Sequence, residues 1–220
     1  FTDAGLEEFA AKGTKKELGD AYGMSEKGLV EWDKQIASLE EYLVGKTPAD
    51  VKAETASSDL NSTVSITIDG YIEAVTKAIE SAVAVEGLDK VGTVSSVSAK
   101  TEDPEKVEIN TVVSAVGLDK DGKVVYAFAD ESQLKAAITG ATVVASEELR
   151  TKGQQGNDYG MSKDGMVEWD QQVKTLVEWT KGKNAEEIAK AGDEADVAST
   201  VSIYIGGFVS TLEAAVAAAK

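Results

Sequence analysis

Hydrophobic positions in this chain change their period several times. Between Lys27 and Val44, the residues Leu29, Trp32, Ile36, Leu39 and Leu43 recur at three and four, which predicts one face of an amphipathic helix. Ser25 is placed as its N-cap, and Gly45 stands where helix C-termini favour glycine. Thr47-Pro48 opens a short second helix, with the hydroxyl as cap and proline in the first turn. Val64, Ile66 and Ile68 then alternate with Ser65 and Thr67, the period of two that predicts a short strand. Asp69 caps a further helix through about Val83, with Ile72, Val75, Ile79 and Val83 on one face. Residues 1–20 are polar and mixed and read as an extended or irregular lead-in, followed by a tight apolar turn at Tyr22-Gly23-Met24.

The middle of the chain follows another pattern. Val91–Ser98 and Val107–Val116 are rich in Val, Thr and Ser, Asp119-Lys120-Asp121-Gly122 reads as a hairpin turn, and Lys123–Ala129 is apolar. Residues 84–137 are therefore expected to form a β-meander. Helical patterning then returns at 164–181, near 185–190 and at 208–219, around an extended run at 200–205. Sliding the chain by 137 positions aligns residues 1–83 with 138–220 without a gap. Tyr22-Gly23-Met24-Ser25 falls on Tyr159-Gly160-Met161-Ser162, and Val30-Glu31-Trp32-Asp33 on Val167-Glu168-Trp169-Asp170.

The expected fold is α+β: a duplicated domain, with an antiparallel β-meander and helices packed on one face. Residues 1–83 form a first repeat lacking its N-terminal strands. Residues 84–220 form a second, complete repeat, with the meander at 84–137 and the helical part at 138–220. On this reading the helices of 1–83 leave an apolar face uncovered, and the run at 63–68 lacks sheet neighbours. Trimmed upstream residues would account for the gap. So would a strand-bearing segment of another molecule, whose heterologous contact would propagate a head-to-tail homo-oligomer.

Composition narrows the chemistry. Lys+Arg of 22 against Asp+Glu of 39 gives a formal charge of −17, which argues against nucleic acid as a partner because phosphates would be repelled at close range. The chain has no cysteine and no histidine, so disulfides, zinc-thiolate sites, iron–sulfur clusters, His-ligated haem, Cys nucleophiles and Ser-His-Asp triads are excluded. No run is long and apolar enough to span a bilayer and no signal peptide is present. Because the chain opens on Phe1, it reads as a processed or trimmed protein whose targeting segment is not included.

Asp59-Leu60-Asn61-Ser62-Thr63-Val64-Ser65 returns as Asp196-Val197-Ala198-Ser199-Thr200-Val201-Ser202. This Asp-x-x-Ser-Thr-Val-Ser run resembles the acceptor motif for covalent FMN attachment, in which the last hydroxyl is esterified to the FMN phosphate by a separate flavin transferase. By that match the acceptors are Ser65 and Ser202, preceded by Asp59, Ser62 and Thr63 and by Asp196, Ser199 and Thr200. Thr63 and Thr200 stand where that family has Gly, and Val64 and Val201 where it has Ala. Together with Tyr-Gly-Met, the Glu-Trp helix and Gly45-Lys46/Gly182-Lys183, the chain resembles the repeated FMN-binding domain of flavinylated extracellular electron-transfer lipoproteins of Gram-positive bacteria.

The resemblance implies two FMN groups held as phosphoesters in an extracytoplasmic protein, at the cell surface or secreted. It also implies electron transfer from a membrane quinone-linked dehydrogenase to extracellular electron acceptors. Tyr22/Tyr159, Met24/Met161 and Trp32/Trp169 are candidates to wall the isoalloxazine ring, and Lys46/Lys183 to partner the phosphate or to complement a helix dipole. Thr139-Gly140-Ala141-Thr142 looks like an acceptor but has Ala136 where the acid belongs. Without histidine no hydroxyl has an obvious base, so an electron carrier is expected rather than a self-contained catalyst. The competing reading is a cofactor-free structural or filament-forming surface protein of tandem domains.

Overall fold

In the computed structural model, the Val-, Thr- and Ser-rich middle of the chain forms an antiparallel sheet of order β1-β2-β3-β4. Its strands are β1 (Lys90–Lys100), β2 (Lys106–Leu118), β3 (Val124–Thr139) and β4 (Thr142–Ala145). The structure describes residues 2–53, 64–140, 142–146 and 150–220, with the side chain of Asp196 left out. Mixed helix and sheet is thus the fold class. The chain divides into one unit of residues 12–84 and another of 85–220, which also includes α1 (Asp3–Ala11).

The sheet is longer than its apolar runs. β3 was expected to end at Ala129, yet it pairs with β2 from Val124↔Leu118 to Ala137↔Lys106. The polar stretch after Ala129 is carried by the ladder, and its side chains find partners. Glu131 meets Lys152 at 2.8 Å, and Gln133 donates to Asn110 Oδ1 at 3.1 Å. Gly140, at φ 64°, turns β3 into β4. The turn at Asp119 forms as expected, with its carboxylate accepting from the N–H groups of Asp121 and Lys123 at 3.0 and 2.8 Å.

The helices of the 85–220 unit are α6 (Lys152–Gln155), α7 (Trp169–Trp179), α8 (Ala185–Ile188), α9 (Ala195–Thr200) and α10 (Gly206–Ala218). α7 and α10 lie on the sheet. Val112, Val116, Leu118, Val124 and Ala129 form one buried cluster with Trp169, Val173, Leu176, Phe208, Leu212 and Ala215. Ser114 and Thr211 share a buried 2.7 Å hydrogen bond across this layer. The turn after α7 is tied to the start of β3: Gly182 N–H donates to Val124 O at 2.8 Å, and Val124 N–H to Lys183 O at 3.0 Å.

The 12–84 unit holds α2 (Lys15–Leu18), α3 (Trp32–Leu43), α4 (Pro48–Ala53) and α5 (Asp69–Glu80) around a small core of Ile36, Leu39, Val51, Val64 and Ile72.

Several expected boundaries move for local reasons. The lead-in at 1–20 is helical rather than extended, because α1 buries Leu6 and α2 opens on a reciprocal capping box between Thr14 and Glu17. α1 packs on β1, so it belongs with the 85–220 unit and not with the first repeat. α3 begins at Trp32, not Lys27, and α7 at Trp169, not 164, because Gly28 and Gly165 take φ of 73° and 74°, which no right-handed helix continues through. Leu29 is consequently 45% exposed. Ser25 sits in a preceding 3₁₀ turn and is not the cap of α3. Val83 lies beyond α5 and is exposed. The runs at 64–68 and 201–205 form no strand, and residues 195–200 are helical.

Gly92 faces the backbone of α10, where a Cβ would stand 1.9 Å from Ala215 O. Gly92→Ala should therefore destabilise the 85–220 unit by about 2–3 kcal/mol in urea unfolding, the usual cost of overpacking. Gly192→Ala, at a site with open space and no positive φ, should change stability by less than about 0.5 kcal/mol.

Candidate functional site

The buried stripe of α3 that carries Ile36 and Leu39 also carries Gln35, which is 1% exposed. A primary amide in that position must satisfy its own donors and acceptor. Its Nε2 donates to Val30 O at 2.7 Å. Its Oε1 accepts from Ser65 N–H at 2.6 Å, Ile66 N–H at 3.2 Å and Ser65 Oγ at 3.2 Å. Gln172 on α7 repeats the arrangement, with Val167 O at 2.7 Å, Ser202 N–H at 2.6 Å, Ile203 N–H at 3.2 Å and Ser202 Oγ at 3.2 Å. These contacts explain the missing strands. Successive N–H groups of a strand point to opposite edges, whereas here two successive N–H groups converge on one side-chain oxygen.

A carboxylate fixes the neighbouring loop. Glu31, 2% exposed, accepts from the N–H groups of Met24 and Ser25 at 3.0 and 2.7 Å. Glu168 does the same for Met161 and Ser162 at 3.1 and 2.9 Å. The Ser25 hydroxyl and then its N–H hold the Glu31 carboxyl below its ordinary 4.5, and Ser162 acts likewise on Glu168. Gly23 and Gly160, at φ 83° and 91°, make the turn that aims these N–H groups inward.

Of the residues singled out in the first motif, Ser65, Tyr22, Met24 and Trp32 line one open cavity of about 690 Å³, joined there by Lys15 and Tyr71. Lys15 Nζ lies 5.2 Å from the Tyr22 ring centre and 5.6 Å from that of Trp32. Trp32 meets Tyr71 edge-on at 6.1 Å. In the second motif Tyr159 and Trp169 lie 6.5 Å apart, and Trp169 packs edge-on against Phe208 at 5.6 Å. Met161 Sδ stands 4.0 Å from Gln172 Nε2. Lys152 covers Tyr159 and Trp169 at 5.4 and 5.6 Å while bonded to Glu131. Ser65 and Ser202 are both exposed, and each Oγ has only the glutamine amide oxygen as a partner among the described residues.

Asp59, Ser62 and Thr63 lie outside the described residues. Asp196, Ser199 and Thr200 belong to α9, where Thr200 Oγ1 donates to Val197 O at 3.4 Å. Lys46 and Lys183, the candidate phosphate partners, sit on the rings of Tyr42 and Trp179 at 4.1 and 4.4 Å. Thr142 begins β4, paired with Thr139.

Sequence reading missed Gln35/Gln172, Glu31/Glu168 and Lys15/Lys152. A signal existed for the first pair. A polar residue three positions after a tryptophan, on an otherwise apolar stripe and present in both segments, marks an amide with fixed partners. The glutamates belong to the repeated Glu-Trp pair, which by itself carries no sign of what they bind. No signal in the chain pointed to the lysines, whose neighbours come from separate elements.

No family model matches the chain, and none of the curated proteins or solved structures compared with it is similar.

Gln172→Leu leaves two N–H groups and one carbonyl without partners and should cost at least about 2 kcal/mol, measured by urea unfolding. The glutamates predict a pH dependence. Their folded carboxyls titrate below 4.5, so their contribution is complete above that value and is lost as pH falls through the lowered one. The stability gap between the native chain and Glu168→Gln should be constant near neutrality and close below about pH 4.5. A gap that persists into stronger acid would contradict this.

Proposed function

We propose that residues 12–84 and 150–220 are two copies of one domain, and that Ser65 and Ser202 are acceptors for FMN attached as a phosphoester by a flavin transferase. On this reading the protein is an extracytoplasmic electron carrier between a membrane quinone-linked dehydrogenase and extracellular electron acceptors. The observation that carries it is the pair of serines, each exposed and each held by the same three contacts to a buried glutamine. Among the described residues no helix is long and apolar enough to cross a membrane.

The residues around Ser65 fit such a group. The cavity beside Ser65, about 690 Å³, is within the range of cofactor pockets and is walled by Tyr22, Trp32 and Tyr71. Lys15 and Lys27 line the same cavity and supply positive charge for a phosphate. Gln35 fixes the backbone at Ser65 through two N–H groups, so the hydroxyl can lose its proton to esterification and leave no orphan donor behind. A serine whose Oγ faces only an amide oxygen is not self-activated, which suits an acceptor whose base is supplied by another enzyme. When bound, the flavin would supply the electron chemistry; the chain holds the tether, stacks aromatic rings and sets the local charge.

Co-expression with a flavin transferase should give a protein carrying two FMN by intact mass. Ser65→Ala should carry one, and Ser65→Ala with Ser202→Ala none, with unchanged circular dichroism because both hydroxyls are exposed. Flavin located on Thr142, or on neither serine, would overturn the assignment.

A further inference from the structure

We propose that Tyr204 is the ring that stacks on the isoalloxazine of a flavin held at Ser202, so that the two acceptor sites use different aromatic residues. The inference rests on reading Ser65 and Ser202 as flavin acceptors. It names a residue that the repeated motif does not contain.

The rings that wall the first site are closed off at the second. Beside Ser65, Tyr22 and Tyr71 are exposed and Trp32 is half-buried, and all three line the cavity. The residues 137 positions later are Tyr159, Phe208 and Trp169. Trp169 is 4% exposed and Phe208 2%, and both belong to the buried cluster of the sheet and its helices. They pack edge-on against each other at 5.6 Å. Tyr159 is half-buried, with Lys152 over its ring at 5.4 Å. None of the three offers an open face to a group tethered at Ser202.

Tyr204 does. It stands two residues after Ser202, in the segment that Gln172 holds, and is 87% exposed. Val201 is buried in the core cluster and Ile203 and Ile205 pack against it, which leaves Ser202 and Tyr204 facing solvent. Their Cα atoms are at most about 7 Å apart, the reach of two residues of extended chain. The phosphate and ribityl chain of FMN span that distance. Among the described residues neither a hydrogen bond nor another ring engages Tyr204. A ring so placed gains both burial and stacking when a flat π-system covers it.

A second residue makes room for it. Gly206 opens α10 without a positive φ, so its backbone does not require glycine. A Cβ at that position would stand 2.4 Å from Tyr204 Oη. The first motif has Thr67 and Asp69 at the matching places. The ring and the gap under its hydroxyl therefore occur together at the second site, and both are missing at the first, where the cavity already supplies aromatic walls.

The test uses the full chain with Ser65→Ala, co-expressed with a flavin transferase, so that flavin is carried on Ser202. A stacked tyrosine quenches flavin fluorescence by passing an electron to the excited ring and taking it back, with no net change in either. An aromatic pair favours the stacked form by about two- to tenfold, so adding Tyr204→Thr should raise the fluorescence per flavin at least about twofold. Tyr204→Trp, which keeps an aromatic donor, should stay quenched. Tyr204→Thr in the Ser202→Ala chain, whose flavin is on Ser65, should change nothing. Unfolding midpoints should be unaltered throughout because Tyr204 is exposed. Flavin on Ser202 by peptide mass, with fluorescence that Tyr204→Thr does not move, overturns the proposal and leaves the acceptor assignment standing. An equal rise in the Ser202→Ala chain also overturns it, since the effect would then not be a contact at the second site. A chain with no flavin on Ser202 overturns both the stacking and the acceptor assignment.

Discussion

A buried side-chain amide organises each half of this protein. Gln35 and Gln172 stand where a helix stripe would otherwise be apolar, and each has all of its strong partners in the backbone around it. The donor side stops the N-terminal end of its own helix from fraying, since Val30 and Val167 lie two residues before the helix start. The acceptor side gathers a distant segment by two consecutive N–H groups. Inside the low-dielectric core such bonds are strong, and breaking one without replacing it costs a desolvated donor. The serine that follows Val64 or Val201 is thereby held at the surface by a residue thirty positions earlier.

The second constraint is the glutamate four residues before that glutamine. One face of the helix start receives the Tyr-Gly-Met-Ser loop through Glu31 or Glu168, and the next turn receives the serine segment through the glutamine. Tyr22, Met24, Trp32 and Ser65 converge because two polar residues on a single helix clamp two loops at once. The aromatic rings then fill the space between the clamps, with Lys15 or Lys152 over them.

How much of this was legible in the chain depends on which force wrote the pattern. The helices were legible through Trp32, Ile36 and Leu39, and the meander through its Val-rich runs, because burial fixes a period. Helix starts were misplaced where Gly28 and Gly165 override propensity with a left-handed turn. The alternation of Val64, Ser65 and Ile66 was real but reported an extended segment facing a core, since alternation says which side is buried and nothing about who accepts the N–H groups. β3 ran past its apolar portion because β2 offered a ladder and Lys152 offered Glu131 a charge. The serines and aromatic residues were visible as a repeated motif. The amide and carboxylate that position them were not, because a single polar residue within an apolar stripe is lost when only periodicity is counted.

The carboxylate clamps have a consequence for how the site responds to its surroundings. With neither histidine nor cysteine in the chain, no side chain has an ordinary titration point between the carboxylates near 4 and the tyrosines and lysines near 10. Glu31 and Glu168 lie further from neutrality still, because the hydroxyls and N–H groups of Ser25 and Ser162 keep them charged further down. Both clamps are therefore charged throughout the neutral range. The hold of each carboxylate on its Tyr-Gly-Met-Ser loop is accordingly the same at either edge of that range.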